Sequence, residues 1–322
     1  MAETLCVAAA QFEMAENDKA ANLAAMARMV DEAAARGAAV VSFPEMCTTG
    51  YHFLTQSSKE KLLSIAERIP DGPTVQAVRD LARRSGQAVL FGMLERGGGE
   101  RMYNTYVVVT PEGVLFTHRK LHPFENSAIL QGDRLETFEL LGWTCGVLVC
   151  YDMNLPENPR VLALKGAEIL FAPHQTGGFD IHRAGMGRIP RTLWRRRHVD
   201  PVAIRQAILG PKGYEWIVKW LPSRSYDNNV FTVFANGVGI DGPEVRVGCS
   251  MIVDPEGIIL AETTAAEDGL VVASLSKAAR ADSLPASHLA ARRPSLYGKI
   301  CEPVKEVDTR TIRNRISGET IR

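Results

Sequence analysis

The segment CGVLVCYDMNLPE, residues 145–157, constrains this chain more than any other. It opens as a short, continuous apolar run, the pattern of a strand buried on both faces. The run stops at Cys150 and polar residues follow. Pro156 and Glu157 then lead into a helical pattern over 158–165, closed by Gly166. A strand, a sharp turn and a helix, with a thiol at the turn, is the geometry of a nucleophile elbow. The turn exposes the sulfur at a strand's carboxyl edge, and backbone N–H groups beyond it can face an oxyanion. Taken alone, the segment leaves a second reading open, because most free cysteines are small buried hydrophobes. A nucleophilic thiol needs a positive neighbour and a proton acceptor, which other parts of the chain must supply.

Composition narrows the class of protein. The 322 residues suffice for one large domain or two smaller ones, and 46% hydrophobic with 23% charged residues is ordinary for a soluble globular chain. A formal net charge of zero argues against nucleic acid as the main partner. No apolar run approaches a membrane span, and residues 1–4 are not a basic leader, so no membrane partner is expected. The six cysteines form no CxxC pair and no secreted-type framework, which points to reduced thiols and a cytoplasmic setting.

Residues 5–12 read as a buried strand. Asp18 then caps an Ala-rich helix whose apolar positions Leu23, Met26, Met29, Val30 and Ala33 share one face, ending at Gly37. A second buried strand, 38–42, runs into Phe43, Pro44 and Glu45, which places a carboxylate at a strand terminus. Gly72 and Pro73 start another helix, and a third strand covers 88–94. The glycine-rich 96–100 reads as a hairpin connection, since it lacks a phosphate-binding pattern. Strands at 103–110 and 114–119 flank a Pro-Glu-Gly turn and lead to Lys120 and Glu125. His118 and His122 have metal-ligand spacing only on a helix, which Pro123 disfavours, so neither a metal nor any other cofactor is expected. Further strands are expected at 138–141, 143–149, 169–172, 230–236, 250–253, 258–262 and 270–275, and a helix over 276–291. Residues 109–115 and 253–259 share a Pro-Glu-Gly hairpin pattern, which suggests a pseudo-symmetric body of two packed sheets.

Glu45, Lys120 and Cys150 thus stand at three strand ends, where active sites of α/β sheets gather. Their chemistry is complementary. The ammonium favours thiolate and stabilises an oxyanion; the carboxylate takes the thiol proton and returns it to a leaving amine. Phe43-Pro-Glu45 with Gly50 and Tyr51, Arg119-Lys120-Leu-His122, and Cys150-Tyr-Asp152 with Pro156 and Glu157 resemble the three signatures of the carbon–nitrogen hydrolase, or nitrilase, superfamily, in the same order. The resemblance extends over about residues 4–298 and includes Arg224 to Asn228, Ala235-Asn236, Gly248-Cys-Ser250 and Arg293 to Tyr297. Leu155 and Cys249 depart from the residues usual there.

The resemblance implies an α/β fold, a four-layer αββα sandwich that dimerises as αββααββα. A single hydrolase domain would cover 1–298, with a long insertion at about 176–219, followed by a tail at 299–322 that needs a partner surface to be ordered. It implies Cys150 as nucleophile, Glu45 as general base, Lys120 as oxyanion stabiliser with the Tyr151 backbone N–H, and Glu125 as a second glutamate. Tyr51, His174 and Gln175 are the candidate substrate-binding residues. The implied activity is hydrolysis of an amide or N-carbamoyl bond in a small molecule through a thioester, by a homodimer or larger homo-oligomer. Cys-Tyr-Asp resembles amidases and carbamoylases; a nitrilase and a non-catalytic protein of the same fold are the alternatives. The insertion carries His182, Arg183, Arg188, Arg191, Arg195, Arg196, Arg197, His198 and Arg205. These either bind a substrate carboxylate near the pocket or form a solvated or subunit-contact face.

Overall fold

The structure, a computed structural model, describes residues 3–177, 187–305 and 307–311. The first half of the chain builds one sheet: β1 (Thr4–Gln11), β2 (Val40–Ser42), β3 (Ala88–Arg96), β4 (Met102–Thr110), β5 (Gly113–Arg119) and the two-residue β6 (Ile129–Leu130). Helices α1 (Lys19–Ala35), α2 (His52–Gln56), α3 (Lys59–Ile65) and α4 (Pro73–Ser85) lie between these strands. The second half contributes β7 (Thr137–Leu140), β8 (Trp143–Val147), β9 (Ile169–His174), β10 (Phe231–Asn236), the hairpin β11 (Val238–Asp241) and β12 (Glu244–Val247), then β13 (Met251–Val253) and β14 (Ile259–Glu262). Its helices are α5 (Glu157–Leu164), α6 (Arg191–Arg195), α7 (Pro201–Leu209), α8 (Tyr214–Ile217) and α9 (Leu221–Tyr226). The last strand, β15 (Gly269–Ser276), crosses back and pairs antiparallel with β1.

The first sheet has order β15-β1-β2-β3-β4-β5, with β6 on β4; the second has order β14-β13-β10-β9-β8-β7. Alternate residues of each strand feed different cores, as the two-residue period requires. Val7, Leu90, Val108, Val147, Phe171 and Val233 meet between the sheets. Ala8, Val41, Val89 and Val107 face the α1 and α4 side chains Met26, Val30, Val75 and Val78. Leu148, Leu170, Ala172 and Phe234 face Leu162, Ile208, Ile217 and Leu221 of the second helical layer. This is the expected αββα sandwich. Among the described residues, no helix is long and apolar enough to cross a membrane.

Several expected boundaries are corrected. The strand read as 143–149 ends at Val147, and a single 3-10 turn, Cys150–Asn154, comes before α5. The helix read over 276–291 is two short ones, Lys277–Ala281 and Ala286–Ala290, interrupted at Ser283, Leu284 and Pro285. Pro at position 285 removes the backbone donor that a continuous helix would use there. The described part of the insertion is helical: Asp200 caps α7 by accepting from the Ala203 N–H, and Pro201 occupies the first turn. Trp194, 2% exposed, anchors it by donating Nε1–H to the Glu13 carboxylate at 3.1 Å. Arg191, Arg195, Arg196, His198 and Arg205 are exposed, and Arg197 stacks on Trp194 beside Glu13. Arg188 is partly buried, and His182 and Arg183 lie outside the described residues.

Candidate active site

Glu45 is carried three residues past β2 on a loop that crosses β3 closely. A Cβ at Gly92 would stand 2.3 Å from the Met46 nitrogen and 3.0 Å from the Glu45 carbonyl carbon, so only glycine lets the loop settle there. Met46 itself has φ +49°, a left-handed conformation that costs a non-glycine residue energy. Lys120 follows the last residue of β5, and its N–H donates to the Asn104 carbonyl of β4 at 2.8 Å. The Glu45, Lys120 and Glu125 side chains are all completely buried.

Lys120 Nζ lies 2.6 Å from Glu45 Oε1 and 2.5 Å from Glu125 Oε1. The Asn104 side-chain amide donates to the same two oxygens, at 2.7 and 2.6 Å. Each carboxylate thus has one oxygen doubly engaged, while Glu45 Oε2 and Glu125 Oε2 have no hydrogen-bond partner among the described residues. The charges follow from this geometry. Burial raises the Glu45 pKa to about 7, with Lys120 opposing and Glu125 reinforcing the shift. Burial also acts against charge on Lys120, but the Glu125 and Glu45 carboxylates outweigh it and hold the ammonium protonated well above its ordinary range. Burial would likewise raise Glu125, but Lys120 pulls it below the ordinary carboxylate value. The site therefore holds a fixed cation, a fixed anion and one carboxylate that titrates near neutrality.

Cys150 stands at the elbow with φ +54°, the strained conformation expected of a residue pushed out of a strand-to-helix turn. Its thiol pKa is raised well above the ordinary range by burial, further by the neighbouring Glu45, and is lowered by Lys120 and the Gln175 backbone. The Cys150 thiol is thus held neutral beside the Glu45 carboxyl group. The Tyr151 ring packs edge-on against Phe124 with centroids 4.6 Å apart, and Lys120 Nζ sits 5.4 Å from the Tyr51 ring.

Asp152 ties the cysteine turn to the lysine loop. Its carboxylate accepts from the Leu121 N–H at 3.0 Å and the His122 N–H at 2.9 Å, with His122 Nδ1 at 2.8 Å and His118 Nε2 at 3.9 Å. Burial would raise its pKa, but the two imidazoles hold it well below the ordinary aspartate value. The two histidines do converge, on a carboxylate rather than through helical spacing. From the other side, the Arg224 guanidinium donates to the Met153 and Asn154 carbonyls at 3.1 and 2.8 Å, and the Asn158 side chain donates to the Asp152 carbonyl at 2.8 Å.

His174 ends β9, buried against Phe234 and Trp220 at centroid distances of 4.6 and 5.6 Å. Its Nδ1 lies 3.0 Å from the Ala172 carbonyl and must donate to it, which makes Nε2 an acceptor; among the described residues that atom has no hydrogen-bond partner. Burial lowers its pKa to about 3, so the ring stays neutral. Gln175 contributes its backbone to the thiol, while its side-chain amide lies 2.7 Å from Met14 Sδ. The Gln175 Oε1 occupies the space a Cβ at Gly237 would fill, 1.7 Å away.

The structure thus gathers Glu45, Lys120, Glu125 and Cys150, with Tyr51 and Tyr151 beside them. The sequence reading did not pick out Asn104, Asp152 as a clamp, or Gly92. Asn104 did leave a signal, as a lone amide within an apolar strand where asparagine is depleted.

The carbon-nitrogen hydrolase family model matches residues 6–282. The chain belongs to the carbon–nitrogen hydrolase family. It is 31% identical over 266 residues to a nitrilase of Pyrococcus abyssi, covering 82% of this chain and 86% of that protein. It is 33% identical over 223 residues to an (R)-stereoselective amidase of Pseudomonas sp., covering 68% and 67% of the two chains. Among solved structures, the amidase from Nesterenkonia sp. AN1 in complex with acrylamide superposes with a TM-score of 0.69 at 22% identity, covering 93% of this chain and 98% of that one. That likeness shows the sandwich fold and agrees with the layers described above.

Proposed function

We propose that this carbon–nitrogen hydrolase cleaves the amide or N-carbamoyl bond of a small molecule through a thioester on Cys150. The observation that carries the reading is the Lys120 ammonium held by Glu45 and Glu125, beside a strained cysteine whose thiol feels both Lys120 and Glu45. As substrate enters, Glu45 takes the thiol proton and the sulfur attacks the carbonyl carbon. The C=O pair of electrons moves onto oxygen, and Lys120 Nζ with the Tyr151 N–H stabilises that oxyanion. Collapse breaks the C–N bond as Glu45 hands its proton to the departing nitrogen, releasing ammonia or an amine. Glu45 then takes a proton from water, whose oxygen attacks the thioester; the acid leaves and the proton returns to sulfur. Glu125 keeps Lys120 cationic and Glu45 proton-hungry throughout. Tyr51, His174 and Gln175 form the substrate wall, where His174 Nε2 accepts from a substrate N–H.

The names of the relatives, an amidase and a nitrilase, bracket the chemistry; the Cys-Tyr-Asp sequence favours the amide. The test is a panel of primary amides, N-carbamoyl compounds and matched nitriles, scored for ammonia and free amine, with intact mass spectrometry for the acyl-enzyme. Amide turnover with a Cys150 adduct supports the reading. Turnover of the nitriles alone would replace it with nitrilase chemistry. The same proposal includes a cytoplasmic homodimer, to which exposed Leu296, Ile300 and Val304 offer apolar surface; light scattering reads the oligomer directly.

A further inference from the structure

Within the C-terminal segment, Thr309 and Arg310 lie against this chain's own 123–129 loop. Thr309, 4% exposed, donates Oγ1–H to the Pro123 carbonyl at 3.2 Å. Arg310 donates through Nη1 to the Asn126 carbonyl at 2.8 Å and the Ile129 carbonyl at 3.2 Å. Its guanidinium is pre-set by Asp308, with Nε 2.8 Å from Oδ1 and Nη2 2.6 Å from Oδ2. The Pro123 and Asn126 carbonyls belong to the stretch that carries Phe124 and Glu125, which has no regular structure between Lys120 and the two-residue β6, and the Ile129 carbonyl opens β6. On its other side the loop is held by the buried Asn126, whose Nδ2 donates to the Leu54 and Ser57 carbonyls at 2.9 Å each, while Asn126, Ser127, Ala128 and Leu130 also line a cavity of about 720 Å³. The family model matches residues 6–282, and Thr309 and Arg310 follow it in the chain.

We propose that Arg310, with Thr309, is a positioning residue for catalysis: it fixes the 123–129 loop so that Glu125 stays on Lys120 Nζ. The chain of contacts runs from the Arg310 guanidinium to the Asn126 carbonyl, then through the adjoining Glu125 to Lys120 and Glu45. Loss of the guanidinium removes two of the hydrogen bonds that place the loop, and a misplacement of about 1 Å at such a site costs up to about a hundredfold in rate. This inference rests on the roles proposed above for Glu45, Lys120 and Cys150.

The test compares Arg310→Ala, Arg310→Lys and Thr309→Val in the full chain. It measures kcat, KM, the pH profile of kcat/KM on an amide, and Tm. Glu45 is faced by Lys120, Glu125, Cys150 and Asn104; withdrawing Glu125 removes an influence that raises the Glu45 pKa. Arg310→Ala should therefore lower kcat about tenfold to a hundredfold with little change in KM, and move the acid limb of the profile to lower pH. Arg310→Lys should restore part of both effects, since lysine can still donate to one carbonyl. Thr309→Val, which keeps the shape and removes one hydrogen bond, should shift the limb in the same direction by less. Should Arg310→Ala fail to fold, Thr309→Val and Arg310→Lys carry the test. Wild-type kcat and an unmoved acid limb in the folded variants would overturn the proposal, as would lost activity that only tracks lost Tm. If wild type itself shows no amide turnover that disappears in Cys150→Ala, the proposed function has failed instead.

Discussion

Asp152→Asn isolates the clamp between the cysteine turn and the lysine loop. The wild-type carboxylate is fully buried and accepts from two backbone N–H groups and the His122 ring. An asparagine of the same shape keeps one oxygen, so one backbone N–H must face the new NH₂ group. An unsatisfied buried donor costs about 1–3 kcal/mol, and a hydrogen bond to a charged group is worth about 1.5–3 kcal/mol. The expected destabilisation at pH 7 is about 3–5 kcal/mol, within the sum of these two contributions. The pH dependence has a definite sign. Asp152 is depressed in the folded state, so its contribution is complete above the unfolded aspartate pKa of about 3.9 and fades as pH falls towards the folded value. The gap between wild type and variant should thus be as large at pH 5 as at pH 7, and should narrow only below about pH 4. Urea unfolding at several pH values measures the gap, and the iodoacetamide labelling rate of Cys150 reports whether Lys120 has moved away. A gap under about 1 kcal/mol at pH 7 would refute the reasoning, being within the reach of an ordinary neutral hydrogen bond. So would a gap that has already closed at pH 5.

Other predictions concern the reacting groups and the insertion. Cys150→Ala should abolish turnover and the acyl-enzyme while leaving Tm near wild type, because few packed atoms are lost. Glu45→Gln should cost about 10²–10⁴ in kcat/KM, and the wild-type profile should rise with pH through about 7, where the Glu45 carboxylate forms; a flat profile from pH 5 to 8 would remove Glu45 as the base. Lys120→Ala should cost about 10²–10³ in kcat and also lower Tm, since it leaves Glu45 and Glu125 buried without their cation. Alanine at Arg191, Arg195 and Arg196 together should change KM equally for acidic and neutral amides, because all three side chains are exposed; a selective rise for acidic substrates would restore the carboxylate-binding reading.

By itself the sequence determined the elements whose signal is local. Buried strands announce themselves as short apolar runs, as in β1 and β9. Caps and terminators such as Asp18, Gly86 and Gly166 mark helix ends through their own backbone chemistry. Glu45, Lys120 and Cys150 were legible because each follows a strand and sits in a recognisable motif. Tertiary structure alone decided what those residues do to one another. That Asn104 bonds both carboxylates depends on β4 pairing beside Lys120, and that Asp152 holds the lysine loop depends on two sheets meeting at their carboxyl edges. The pKa order of Glu45 and Glu125 depends on burial and on distances set by three separate loops. The short helices of the insertion and the docking of Arg310 left no periodic signal, because each takes its stability from distant partners such as Glu13 and the Asn126 carbonyl. Local chemistry writes the strand, the cap and the motif into the chain; contacts between residues far apart in sequence exist only once the sheets have packed.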